Sequence, residues 1–146
     1  MIELTKEIDV QRPPDLVFAF IDAEDKAPHW LSRCVEITRT SPGAKAVGST
    51  LRYTYQQGGR KGTMDGVVTE YEPGKRLGMK YTDRMFDISI GFDVAATSTG
   101  AHVTERVAIE PKGIVGKLMS PLIGLATRRQ TGKDMETLKH LLERPG

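Results

Sequence analysis

The stretch 113-GIVGKLMSPLIGLATRRQTGKDMETLKHLLE-143 decides how the rest of the chain is read. Apolar residues recur at Leu118, Leu122, Leu125, Met135, Leu138 and Leu142 in a helical pattern, so the spacing predicts one long helix, or a short one running into a long one. The pattern has a gap. From Ala126 to Asp134 no large apolar residue occurs, and Gly132 occupies the position that would continue the stripe. A helix pressed along its whole length into a tight core would carry Leu or Ile there, whereas a helix roofing a cavity would not. Ser120-Pro121 has the form of an N-cap followed by a first helical residue, so the helix is expected to restart there. Ile114–Ala126 is apolar nearly all round. Burial against the sheet and the first helices is the expected use; a lid, a membrane-touching face or a homodimer contact are the alternatives.

What precedes this helix reads mostly as strands. Ile2, Leu4, Ile8 and Val10 alternate with Glu3, Thr5, Glu7 and Asp9, which gives a strand with one buried face. Pro13-Pro14 stops it and opens a short helix marked by Leu16, Val17, Phe20 and Ile21; a second short helical segment covers Ala23–Trp30. Cys34–Thr38 is a short strand. From Ser49 onward a meander follows: Leu51, Tyr53 and Tyr55; a hairpin at Gly58-Gly59; Thr63–Glu72; a turn at Pro73-Gly74; Leu77, Met79 and Tyr81. Phe86, Ile88, Ile90, Phe92 and Val94 then alternate without a break, and Val103, Val107 and Ile109 form the last strand. Runs of strands followed by a helix indicate an α+β domain with an antiparallel sheet of about seven strands. Such a sheet twists and curls, and a long amphipathic helix can fill its hollow.

Bulk properties narrow the function classes. The 146 residues suit one domain spanning 1–146. With 38% hydrophobic and 27% charged residues, the composition is that of an ordinary globular chain. The formal charge of +2 is mixed along the sequence, with neither the basic helix nor the basic-aromatic interleaving that nucleic-acid binding would need. One cysteine, Cys34, allows no internal disulfide and fits a reducing compartment. MIELTKEIDV lacks an apolar core behind a basic start, so a cytoplasmic protein without stable membrane insertion is expected. His29, His102 and His140 make no metal-ligand spacing with Cys34 or each other, so no metal is expected. No phosphate loop, dinucleotide fingerprint or nucleophile elbow occurs, and no cofactor is implied.

The ordered series Pro13, Val17, Phe18, Asp22, Trp30, Val47-Gly48, Glu70, Pro73, Leu77, Val103-Thr104, Leu138-Lys139 and Leu142-Glu143 resembles the START-like, or SRPBCC, superfamily, in particular its polyketide cyclase/dehydrase-like branch. The resemblance covers the whole chain. It implies the helix-grip fold, in which a curved antiparallel sheet wraps around a long C-terminal helix with an apolar cavity between them. It does not select a function, because that superfamily hosts lipid carriers, cyclases, hormone receptors and ring-hydroxylating subunits.

The apolar parity of the strands nominates the lining of that cavity: Tyr53, Met79, Tyr81, Ile88, Ile90, Phe92 and Glu105, with Leu125, Arg129 and Gly132 from the helix above. The tyrosines offer apolar bodies with polar tips, as small-molecule pockets require; ordinary core tyrosines are the plainer reading. Glu105 lies between Val103 and Val107, so alternation points its carboxylate inward, where an unpaired charge is costly. Lys6 shares the inward parity of the first strand, and the resemblance makes the first and last strands neighbours. The two could therefore pair, as a polar anchor in the cavity or as a structural ion pair at the sheet edge; a bulge that turns Glu105 outward is the alternative. Arg129 is a candidate for an acidic head-group; a solvated helix face is the plainer reading. Three functions stand open. The chain binds or transports a small hydrophobic or amphipathic ligand such as a lipid or polyketide. It is a polyketide cyclase/dehydratase-type enzyme using Glu105 with Tyr53 or Tyr81. Or it is a protein-interaction module with a filled cavity, which an exposed apolar patch would favour.

Overall fold

The computed structural model describes residues 1–144. The strands are β1 (Ile2–Val10), β2 (Cys34–Arg39), β3 (Thr50–Gln57), β4 (Arg60–Glu72), β5 (Arg76–Thr82), β6 (Phe86–Ala96) and β7 (Ala101–Pro111). Between β1 and β2 lie the helices α1 (Pro14–Asp22) and α2 (Ala27–Trp30), separated by a 3-10 turn over Glu24–Lys26, and α3 (Gly113–Glu143) closes the chain. The sheet order is β1-β7-β6-β5-β4-β3-β2, antiparallel throughout. Only the β1–β7 pairing crosses the chain; the others join sequence neighbours, as hairpin turns dictate. Alternation sets the facing as expected. Leu77, Met79, Tyr81, Phe92, Val94, Val103, Val107 and Ile109 are buried on the concave face, and Gly78, Ser89, Gly91 and Arg106 belong to the opposite parity. Val67 and Val68 are adjacent in β4, and a register shift between Val68 and Glu70 leaves Val68 in the core.

Helix α3 corrects two expectations. First, it does not restart at Pro121 but runs unbroken through it. Proline has no N–H to give the Lys117 carbonyl four residues back. The Ser120 hydroxyl donates to that same carbonyl at 2.9 Å instead, so the freed acceptor is satisfied and the helix continues.

Second, the apolar stripe is not one stripe with a gap but two faces. At about 100° per residue, Leu118, Leu122 and Leu125 point roughly 130° away from Met135, Leu138 and Leu142. Only the second set enters the core, together with Thr131 and Asp134. The first half of the helix stands with its apolar side outward: Ile114 is 78%, Leu118 74%, Leu122 64% and Leu125 57% exposed. Ile114–Ala126 is therefore not buried against the sheet and first helices. Gly132 sits at the edge of the buried face, where a Cβ would lie 3.9 Å from Cε of Lys6.

Candidate functional site

The concave face of β3, β5, β6 and β7, the end of α1 and helix α2 enclose a cavity of about 50 Å³. Tyr53, Met79, Tyr81, Ile90, Phe92 and Glu105 line it, with Ile21, Ala27, Trp30, Leu31, Ile37, Leu51 and Leu77. Asp22, Glu24 and Lys45 form its partly exposed rim. The helix residues are elsewhere. Leu125 and Arg129 are exposed, Gly132 faces Lys6, and Ile88 packs at the junction of the main core with a smaller cluster around Leu4, Val107 and Ile109. The hollow therefore lies against the sheet and the short helices rather than beneath the chain's long helix.

Among the described residues, four buried polar atoms from the lining have no hydrogen-bond partner; Asp22 Oδ1 and Glu24 Oε1 face the Lys45 ammonium, and the other two face no charge partner. Glu105, 4% exposed, leaves Oε1 unbonded, and Trp30, 3% exposed, leaves its indole Nε1–H undonated. Glu105 is delivered by alternation on β7, opposite Phe92 on one side and Lys6 on the other. Trp30 is placed by α2 and packs edge-on against Phe92, with ring centroids 5.7 Å apart. The Lys6–Glu105 pair does not form despite the matched register. The Lys6 stem reaches toward Gly132 of α3, and Lys6 is only half-buried, as long cationic side chains commonly are, while the shorter Glu105 stays buried.

Burial therefore acts on Glu105 without a compensating cation. It raises the carboxyl from 4.5 to about 8, and the neighbouring Asp134 carboxylate adds to the effect, so Glu105 is predominantly a neutral acid at neutral pH. Asp134, on the buried face of α3, is itself raised, chiefly by burial. The Ser32 backbone N–H donates to its Oδ1 at 3.2 Å and moderates the shift. Burial also raises the phenols of Tyr53 and Tyr81, whose rings lie 5.2 Å apart. It pushes the Cys34 thiol to about 11, against the opposing contact with Tyr53. Glu105, Tyr53, Tyr81 and Cys34 are thus held protonated and uncharged. They can hydrogen-bond a substrate or hand over a proton, but the thiol is no nucleophile.

The rim is polar and tied down. The Lys45 ammonium sits 2.8 Å from Asp22 Oδ1 and 3.5 Å from Glu24 Oε1. The Tyr71 hydroxyl donates to Asp22 Oδ2 at 2.6 Å.

Asp134, Trp30 and Cys34 were not among the residues the alternation nominated. Asp134 was legible in principle: it is four residues before Leu138 and so shares its helix face. Of the cavity tyrosines, Tyr81 is positioned by a cross-strand glycine. Tyr81 is opposite Gly66, where a Cβ would come within 2.5 Å of the tyrosine ring. Gly66→Ala is expected to force Tyr81 out of its place and to cost about 1–3 kcal/mol, measurable by urea denaturation; unchanged stability would show that the ring is free to yield.

Comparison with known proteins agrees with this architecture. The sequence matches the family described as Polyketide cyclase / dehydrase and lipid transport over residues 1–143. No curated protein matches it. Among solved structures, a START superfamily protein from Mycobacterium smegmatis superposes with a TM-score of 0.79 at 12% identity, covering 98% of both chains. A protein from Thermus thermophilus, TTHA0849, gives 0.77 at 14% identity, covering 94% of both. The di-domain ARO/CYC BexL from the BE-7585A biosynthetic pathway gives 0.76 at 20% identity, covering 96% of this chain but 46% of BexL. These likenesses carry the helix-grip fold, and the family match carries the kinship: the chain belongs to the polyketide cyclase/dehydrase and lipid transport family.

Proposed function

We propose that this protein binds a small amphipathic molecule whose polar end lies between Glu105 and Trp30. The observation that carries this reading is the pair of unpartnered buried polar atoms in one cavity. Leaving a buried donor or acceptor unsatisfied costs about 1–3 kcal/mol each, and a ligand group that accepts from the indole N–H and bonds Glu105 would recover that. A hydroxyl or an enolisable carbonyl meets both requirements. A carboxylate or phosphate fits less well, because the Asp134 carboxyl lies beside Glu105 and the cation of the rim, Lys45, is already paired with Asp22 and Glu24. This disfavours the acidic head-group for which Arg129 was a candidate, since Arg129 lies on the exposed side of α3. About 50 Å³ is far below the roughly 300–1,000 Å³ of drug-sized sites. The closed form therefore holds a head-group, and an attached apolar body requires the wall to yield, most readily at the Asp22–Lys45–Glu24 rim.

A second reading rests on one observation: Glu105 is held near pKa 8 beside two phenols. A protonated carboxyl in an apolar site is a competent general acid at neutral pH. A cyclisation or dehydration of a polyketide-like substrate would use that proton, with Tyr53 or Tyr81 orienting the oxygen that receives it.

Native mass spectrometry of the purified protein tests the first reading. A retained neutral molecule in the wild type, diminished in Trp30→Phe, is the expected result. Trp30→Phe removes the unpaired donor but also leaves a void in the core, so the two proteins are compared at a temperature where both are folded. If no molecule is retained and 2-naphthol, a neutral hydroxyl-bearing aromatic, leaves the melting temperature unmoved, the binding reading fails.

A further inference from the structure

The outward face of the first half of α3 serves neither the core nor the cavity. Ile114, Val115, Leu118, Met119, Leu122 and Leu125 are all exposed on it. Met85, from the β5–β6 turn, is also exposed, and its carbonyl would lie 3.1 Å from a Cβ on Gly116. Single exposed apolar residues are ordinary; a contiguous set on one helix face marks a surface that is covered in use.

The charges around this face identify what covers it. Between Glu110 and Asp134 the chain contains no acidic residue, but it contains Lys112, Lys117, Arg128, Arg129 and Lys133. Arg129 and Lys133 continue the line of Leu118, Leu122 and Leu125 in steps of three and four, so they end the apolar stripe on the same side. Lys117 and Arg128 flank it. Among the described residues, the ion pairs include Lys112 with Asp87 and Lys139 with Glu143 but not Lys117, Arg128, Arg129 or Lys133. Near the helix start, Asp87 holds Lys112, and Asp83 accepts the backbone N–H groups of Met85 and Phe86.

A second copy of this chain could cover the leucines, but pairing two such faces brings Lys117, Arg128, Arg129 and Lys133 of both copies together and crowds like charge. An anionic lipid surface supplies both an apolar phase for the side chains and the missing countercharge. We propose that the protein docks on anionic membranes through the first half of α3, with Leu118, Leu122 and Leu125 in the acyl boundary and Arg129 and Lys133 at the head-groups. The helix lies in the interface and does not cross it: among the described residues, no helix is long and apolar enough to span a bilayer. The docking face is turned away from the core-facing side of α3, so docking does not rest on the cavity reading and can fail without it.

Flotation of the full chain with vesicles of phosphatidylcholine, and of equimolar phosphatidylcholine and phosphatidylglycerol, tests this. The expected result is flotation with the mixed vesicles, several-fold weaker with phosphatidylcholine alone and weakened by added salt. Replacing Leu118 and Leu122 together by serine should abolish flotation while leaving the melting temperature in place, and Leu125→Glu should do the same singly. Arg129→Gln and Lys133→Gln should each weaken partitioning about five-fold. Absence of flotation with mixed vesicles overturns the proposal. So does flotation indifferent to the serine pair, which is charge attraction alone. A stable dimer in sedimentation that the serine pair renders monomeric overturns it in favour of self-association.

Discussion

Leu138→Ala is expected to cost about 3 kcal/mol in urea denaturation, while Leu122→Ala, the same substitution on the same helix, changes stability by less than about 0.5 kcal/mol. Leu138 is wholly buried in the main core, between Met135 and Leu142 and with Val10, Val103 and Val17 among the other members of that cluster. Truncation there removes apolar contacts and leaves a void that a sheet braced by six strand pairings closes poorly. Leu122 projects into solvent, so its loss removes little that folding had buried. The comparison measures the rotation of the helix directly. Equal costs at the two positions would mean that both halves of α3 enter the core and that the outward apolar face does not exist in solution, which would also remove the basis for membrane docking.

That contrast also explains what could be read without coordinates. The strands were legible because a strand's side-chain period is two, and five alternating residues such as Phe86, Ile88, Ile90, Phe92 and Val94 define both the element and its buried face. The inward position of Glu105 followed from the same rule, and β1–β7 adjacency placed Lys6 opposite it. The helix was harder. Steps of three and four suggest one face over two turns, but small phase errors accumulate along a helix of 31 residues, so Leu118 and Leu138 could each fit a local stripe while facing apart. Reading them as one face turned a change of phase into a gap, and placed Leu125 and Arg129 over a cavity that lies elsewhere. The Lys6–Glu105 pair failed for another reason. Register fixes where two Cβ atoms lie, not whether a long side chain stays inward or turns to water. Trp30 Nε1 and the Asp134–Glu105 proximity depend on packing between elements distant in sequence, which periodicity does not encode.

Glu105→Gln is expected to flatten the pH dependence of stability between about pH 5 and pH 9, and to leave the variant more stable than the wild type by roughly 2–4 kcal/mol at the alkaline end. The Glu105 carboxyl titrates near 4.5 when exposed and at about 8 in the folded chain, for reasons of burial first and of Asp134 second. Between those values the folded state keeps a proton that the unfolded state has released. Stability therefore falls as pH rises through this window, is undiminished below about 4.5, and levels off above about 8. Glutamine keeps the shape and cannot ionise, so it removes this loss. Two other groups act in the same direction and remain in the variant. Asp134 is raised by burial, and His102 is raised by its bonds to Asp9 and Glu7 on the outer face. The informative quantity is therefore the difference in slope between wild type and Glu105→Gln. Asp134→Asn supplies an independent arm: withdrawing the adjacent carboxylate should move the wild-type inflection to lower pH without abolishing it. Identical slopes in wild type and Glu105→Gln would mean that Glu105 is ionised and solvated in the folded protein. The neutral acid would then be lost, and with it both the ligand contact at Glu105 and the general-acid alternative.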